Sequence, residues 1–257
     1  GCCRPWPSTS RRPTPPQPPE HPAVPFDQAL RLIIVDLDDT LWPCAPVIRA
    51  AEEALWAWIA PRAPRLGARE DLATLRAHRI AYARANPAVA HDITALRAAA
   101  LADALLAHGE DPALAEPAVG VFVTARQQVE PYPEVAEVLA RWRERYRLVA
   151  VSNGNADVER TPLRGLFHHA LNAAAIGAMR PDPALFRAAL DHAGVEPASA
   201  LHVGDDPVND VMAARALGLR TAWVNRSGRS FPADLAPADV EVADLAALAA
   251  WLEGRPG

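Results

Sequence analysis

The chain has 257 residues, half of them hydrophobic and 22% charged, with a formal net charge of −5. That length supports a sizeable core in one or two domains, and the acidic balance speaks against nucleic acid as a main partner, which calls for a basic face. No run of 18 or more apolar residues occurs, which excludes a membrane-spanning helix.

Residues 1–27 are crowded with proline, from Pro5 to Pro25, and nearly lack aliphatic side chains. They are expected to be a disordered tail, because such a segment cannot bury enough surface to offset its ordering entropy. Arg11-Arg12 is followed by no apolar run and so does not make a twin-arginine export signal. Cys2, Cys3 and Cys44 are too few for a disulfide framework and match no zinc spacing. They point to a reducing compartment, and the absence of an export signal or membrane span leads to the expectation of a cytoplasmic location.

Leu32-Ile33-Ile34-Val35 is a β-branched run predicted as a buried strand. From Ala45 to Gln128, alanine-rich apolar positions recur at spacings of three and four. They predict about four helices, broken at Pro61–Gly67, Asn86-Pro87 and Gly109–Pro112. After Pro131-Tyr132-Pro133 the rhythm becomes strand and helix in alternation. Val135–Arg145 is predicted helical and Leu148–Val151 a strand. A helical turn around Leu163–Phe167 leads into a weaker strand near Ala173–Ile176. Pro183–Ala193 is a helix, Leu201–Val203 a strand and Val208–Leu217 a helix. Thr221–Val224 is the last predicted strand, and Leu245–Leu252 a closing helix.

This order predicts an α/β fold, a doubly wound parallel sheet with right-handed crossovers. Residues 28–44 and 131–257 would form the sheet domain, with 45–130 a helical insertion after the first strand. In such sheets the functional crevice lies at the carboxyl ends of the strands.

Four strand ends carry candidate chemistry. The first reads Asp36-Leu37-Asp38-Asp39-Thr40, where residues two apart face the same way, so Asp36 and Asp38 project together. One carboxylate can attack phosphorus while its neighbour protonates the leaving oxygen, although a lone pair of this kind is more often a solvated turn or a capping cluster. The second strand ends Ser152-Asn153-Gly154-Asn155, a hydroxyl and free amides that suit a phosphate or simply a turn. Arg180 precedes Asp182-Pro183, which starts a helix; its charge would face the crevice or solvent. The fourth strand ends Gly204-Asp205-Asp206-Pro207-Val208-Asn209-Asp210. Its three carboxylates form a hard-oxygen site suited to Mg²⁺, with helix capping the alternative for Asp206 and pairing with a nearby base that for Asp210.

Taken in order, these motifs resemble those of the haloacid dehalogenase superfamily of aspartate-nucleophile phosphatases, over residues 30 to 253. The resemblance implies a Rossmann-like core with a small helical cap at 45–130. It implies Asp36 as nucleophile and Asp38 as general acid and then base. Mg²⁺ would be held by Asp36, Asp205 and the backbone carbonyl of Asp38. Ser152 and the Asn153 amide would bind the phosphoryl oxygens, Arg180 would stand where the family has lysine, and Asp210 would orient it, with Asp206 in support. Dehalogenases of the superfamily lack the second aspartate, so Asp38 favours phosphate esters. Asp38-Asp39-Thr40-Leu41-Trp42, Pro46-Val47-Ile48, His91-Asp92-Ile93-Thr94 and Ser152–Ala156 are similar to bacterial flavin mononucleotide phosphatases, which also act on 5-amino-6-(5-phosphoribitylamino)uracil. The expected partner is therefore a small phosphorylated metabolite. His91 and Asp92 are candidate substrate contacts in the cap, and Trp56 and Trp58 candidate stacking surfaces or core. A phosphotransferase of the sugar-phosphate mutase type and a catalytically impaired phosphate-binding module are the alternatives.

Overall fold

Six strands, β1 (Leu32–Val35), β2 (Arg147–Ser152), β3 (His169–Asn172), β4 (Ala200–Gly204), β5 (Arg220–Val224) and β6 (Val240–Val242), build one parallel sheet in the order β3-β2-β1-β4-β5-β6. The computed structural model describes residues 30–254. The proline-crowded segment with Cys2, Cys3 and Arg11-Arg12 lies outside the described residues. Among the described residues no helix is long and apolar enough to cross a membrane.

All four residues of β1 are fully buried because both faces of the sheet are covered. Ile33 and Val35 pack with Val135, Val138, Leu139 and Trp142 of the helix Val135–Arg145 and with the helix Leu245–Leu252. The spacing of those four helix residues lays one apolar stripe on the sheet. Leu32 and Ile34 face the other way, onto Phe186, Ala189 and Leu190 of the helix Ala184–Ala193. Each fully buried aliphatic side chain of this kind contributes roughly 1.5–3 kcal/mol.

Val35 pairs with Ala150 on one side and Val203 on the other, so β2 runs two residues and β4 one residue beyond the end of β1. Chain order reverses between β1 and β4, and the crevice opens there.

The helices Cys44–Ile59, Pro64–Gly67, Leu72–Ala85, Ile93–Ala107 and Ala115–Ala125 follow β1. Ala51, Leu55, Ile59, Leu101, Leu105 and Phe122 form a third apolar cluster drawn from this insertion. Asp71 and Thr74 cap each other at the start of Leu72–Ala85, with both bonds at 2.8 Å.

Several elements differ from their sequence expectation. The expected break at Pro61–Gly67 contains a short helix, Pro64–Gly67, entered through proline at its first turn. Ala173–Ile176, expected as a strand, is a helical turn: Asn172 caps it through Ala175 N–H at 2.9 Å, and the strand is the preceding His169–Asn172. The expected turn at Leu163–Phe167 is made by Arg164 N–H to Thr161 O at 3.2 Å and Leu166 N–H to Leu163 O at 3.1 Å, and an unexpected 3₁₀ turn, Val158–Arg160, precedes it, where Asp157 caps Glu159 N–H at 3.0 Å. β6 was not expected; it is three residues long at the sheet edge. The helix expected at Val208–Leu217 is a wide π-type segment, Pro207–Met212, followed by Ala213–Arg215.

Candidate active site

Asp36 follows the last residue of β1, and its backbone N–H reaches Val203 O of β4 at 2.9 Å. The side chain is buried, with Oδ1 accepting from Arg180 Nη2 and Oδ2 from the Thr40 hydroxyl at 3.3 Å. Burial pushes its pKa well above the usual carboxylate range, against the pull of Arg180 and with a further push from Asp210.

Arg180 is 5% exposed and bridges two carboxylates, Asp36 through Nη2 and Asp210 through Nη1. Burial opposes its charge, yet Asp36 and Asp210 together hold it protonated above the ordinary arginine value. Its backbone is clamped by Asn153, whose side chain donates to Arg180 O at 2.9 Å and accepts from Arg180 N–H at 2.8 Å.

Asp210 uses both its oxygens. Oδ1 meets Arg180 and, at 3.0 Å, His202 Nε2; Oδ2 accepts Asp206 N–H at 2.8 Å. Burial raises its pKa, but Arg180 and the bond to His202 outweigh that and hold it below the usual range. Asp206 itself caps the segment Pro207–Met212 through Val208 and Asn209 N–H at 2.8 and 2.7 Å, the capping alternative left open by the sequence.

Asp38 lies half-buried in the turn after Asp36. Arg126 Nη2 touches its two oxygens at 2.5 and 2.6 Å, and Trp42 Nε1 donates to Oδ1 at 2.9 Å. Asp39 makes the turn possible: it sits at φ 59°, a left-handed conformation that aspartate tolerates, and its Oδ1 accepts Cys44 N–H at 2.9 Å. Opposite, Ser152 Oγ accepts Gly154 N–H at 2.8 Å, leaving its own proton free to donate outward. A Cβ on Gly154 would stand 3.0 Å from Asp38 Oδ2 and 3.1 Å from Ser152 Oγ, so these groups share one small cradle. Burial and the Asp38 charge push the nearby Cys44 thiol up to about 12, which keeps it protonated and unreactive.

Asp36, Asp205 and Asp210 each bring a carboxylate oxygen within 4.8 Å of the others. The donors are all hard oxygens, as Mg²⁺ requires. Burial and then the charges of Asp210 and Asp39 push Asp205 up to about 7, and a divalent cation would relieve that repulsion. These residues therefore fit the ion. Asp210 spends both its oxygens on Arg180, His202 and Asp206 N–H, and Asp36 meets Arg180 and Thr40, whereas the Asp205 carboxylate meets Arg229 at 3.4 Å. The Asp38 carboxylate is turned toward Arg126, so its backbone carbonyl remains the donor expected from that residue.

A cavity of about 320 Å³ adjoins the cradle, lined among others by Leu37, His91, Asp92, Thr94, Asn155 and Asn172. Asn155 Nδ2 donates to Thr94 Oγ1 at 3.0 Å across it, from the β2 loop to the insertion. Asp92 caps Ile93–Ala107 through Thr94 and Ala95 N–H at 3.0 and 2.9 Å, so it serves the helix as well as the cavity wall. Trp56 and Trp58 pack against the apolar cluster of the insertion and do not line this cavity.

Sequence reasoning missed Arg126 and gave His202 and Asn155 no role of their own. Arg126 lies 88 residues from its partner Asp38, with no local pattern to mark it. His202, buried inside β4, bonds Ile34 O at 3.1 Å as well as Asp210, and burial keeps its pKa below the ordinary histidine value.

Residues 30–218 match the family model of haloacid dehalogenase-like hydrolases. A phosphoserine phosphatase from Thermus thermophilus is 33% identical over 84% of this chain and 96% of its own length. The 5-amino-6-(5-phospho-D-ribitylamino)uracil phosphatase YigB of Escherichia coli is 31% identical, over 74% of this chain and 81% of that protein. Among solved structures, a 2-haloacid dehalogenase from Pseudomonas syringae pv. tomato DC3000 superposes with a TM-score of 0.81 at 38% identity, over 88% of this chain and 98% of that one.

Proposed function

We infer that this chain, which belongs to the haloacid dehalogenase-like hydrolase family, is a phosphatase that hydrolyses small phosphomonoesters through an aspartyl-phosphate on Asp36. The observation that carries the reading is the second carboxylate, Asp38, held beside Ser152 over Gly154. An alkoxide leaving from phosphorus needs a proton, whereas a departing halide needs none.

In the reaction, an Asp36 carboxylate oxygen attacks phosphorus and the bond to the ester oxygen breaks. Asp38, as the general acid, gives a proton to that oxygen. Water then loses a proton to the Asp38 carboxylate as its oxygen attacks the same phosphorus, which releases phosphate and restores Asp36. The Ser152 hydroxyl and the Asn153 amide hold the phosphoryl oxygens, and Arg180 adds positive charge at the nucleophile. Held by Asp36, Asp205 and the Asp38 carbonyl, Mg²⁺ would supply charge neutralisation between an anionic nucleophile and an anionic substrate. Asp210 and the Asn153 side chain fix Arg180.

The insertion at 45–130 acts as a cap over the cavity of His91 and Asp92, excluding water and contacting the leaving group. The leading substrate is flavin mononucleotide or 5-amino-6-(5-phosphoribitylamino)uracil, a cytoplasmic metabolite. Support comes from the name of the Escherichia coli relative and from a cavity whose walls mix apolar, amide and hydroxyl groups. The name of the Thermus relative makes phosphoserine the first competitor. A second reading, dehalogenation of a 2-haloacid, is favoured by the Pseudomonas structure.

The test is phosphate release from these three esters and a panel of sugar phosphates, with Mg²⁺ or EDTA, for the wild type and Asp36→Asn. We expect turnover that EDTA and Asp36→Asn both abolish, with the highest kcat/KM on a flavin-type ester. Chloride release from 2-chloropropionate without phosphate release would overturn the phosphatase reading. Phosphoryl exchange that needs a bisphosphate activator would make the chain a mutase.

A further inference from the structure

Arg126 comes to the site from the far end of the insertion, at the residue that closes the helix Ala115–Ala125. It is 1% exposed, and its Nε and Nη1 are buried without a hydrogen-bond partner. An apolar side chain of similar volume would fill the space without unmet donors, so packing alone does not account for an arginine here. Its one polar engagement is Asp38, through Nη2 at 2.5 and 2.6 Å.

The neighbouring residue makes a parallel contact with the other catalytic loop. Gln127 Nε2 donates to Asn155 O at 3.3 Å, and its Oε1 accepts Asp157 N–H at 2.8 Å. Two consecutive residues at the return from the insertion thus grip the β1 loop and the β2 loop. Gly154 leaves the space in which Asp38 Oδ2 comes to rest, 3.0 Å from where a Cβ would stand.

We propose that Arg126 is a positioning residue for the acid–base: it fixes the Asp38 carboxylate over the Ser152–Gly154 turn, so proton delivery to the leaving oxygen depends on how the insertion seats on the sheet. The inference rests on the phosphatase reading and deepens it. Arg126 acts through Asp38, while Ser152 and Arg180 meet the phosphoryl group. Its loss leaves attack by Asp36 in place and weakens protonation of the leaving oxygen. The defect is therefore selective for the leaving group: p-nitrophenolate departs without a proton, and an alkoxide does not.

The experiment compares kcat/KM, which reports steps only as far as the first irreversible one, on p-nitrophenyl phosphate and on the alkyl phosphate that the wild type turns over fastest. Arg126→Met should lose about 100-fold on the alkyl ester and less than about 5-fold on the aryl ester. Arg126→Lys should recover part of the alkyl-ester rate, and Asp38→Asn should show the same selectivity. The ratio of the two substrates within one preparation is independent of the fraction folded, and Arg126→Lys decides the matter if Arg126→Met does not fold. Equal losses on both esters, or an unchanged ratio in every Arg126 variant, overturn the proposal while leaving the phosphatase reading intact. A wild type that releases phosphate from neither ester removes that reading, and this proposal with it.

Discussion

At Gly204 a Cβ would stand 2.3 Å from Asp210 Cγ and 2.4 Å from its Oδ2. Glycine is required there by a close approach, because Asp210 must lie against the end of β4 to reach Arg180, His202 and Asp206 N–H together. Gly204→Ala should cost about 1–3 kcal/mol of stability by overpacking and remove most of the proposed phosphatase activity, read by urea denaturation and phosphate release. This residue could be quoted from the sequence but its reason could not, since the clash involves a side chain six positions later. The carboxylates were more legible. Asp36 and Asp205 stand at strand ends and Asp210 one turn into the segment that follows β4, and strand ends are where a parallel sheet gathers its polar groups. Arg126 was illegible because its partner is set by how the insertion packs, and no local pattern encodes that.

Among the elements, the helix Leu72–Ala85 has no buried residue of its own. Charge ties it to the insertion: Arg76 and Arg79 both reach Glu52, which is 5% exposed and also meets Arg97 at 3.4 Å. Burial and Arg79 push Arg97 down to about 9, still protonated at neutral pH. Glu52→Gln leaves that cation uncompensated and should destabilise the protein by about 3 kcal/mol at pH 7, measured by thermal melting. The pH dependence follows from the direction of the Glu52 shift. Burial raises its pKa, but the three arginines outweigh burial and hold it below the ordinary value. The stabilisation is thus present above the ordinary glutamate value of about 4.3 and lost as pH falls below it. Wild type and Glu52→Gln should therefore converge in melting temperature on acidification. The four long helices of this region were readable from their apolar spacing, because that spacing follows directly from the helical turn. β6 was not, since three residues carry too little pattern, and Ala173–Ile176 shows an alanine run preferring helix once Asn172 supplies a cap.

For the molecule as a whole, the acidic cluster joins two segments distant in sequence, Asp36 after β1 and Asp205 and Asp210 after β4. A cation bound there stabilises the native chain by mass action, about 2.7 kcal/mol at a concentration 100 times its Kd. Mg²⁺ should raise the melting temperature of the wild type by several degrees and leave that of Asp205→Asn nearly unchanged, a result readable without any substrate. An unchanged wild-type melt would count against the ion. The sheet order has a further consequence for how the chain is made. Leu32 in the central strand pairs with Arg147 on one side and Ala200 on the other. Among the described residues, the strand earliest in the chain is then the one whose partners arrive late, after the whole insertion has been synthesised. The insertion's helices form from local contacts and need not wait. The insertion can therefore fold while Leu32-Ile33-Ile34-Val35 is still unpaired, and this apolar tetrapeptide then needs shielding from aggregation in the nascent chain.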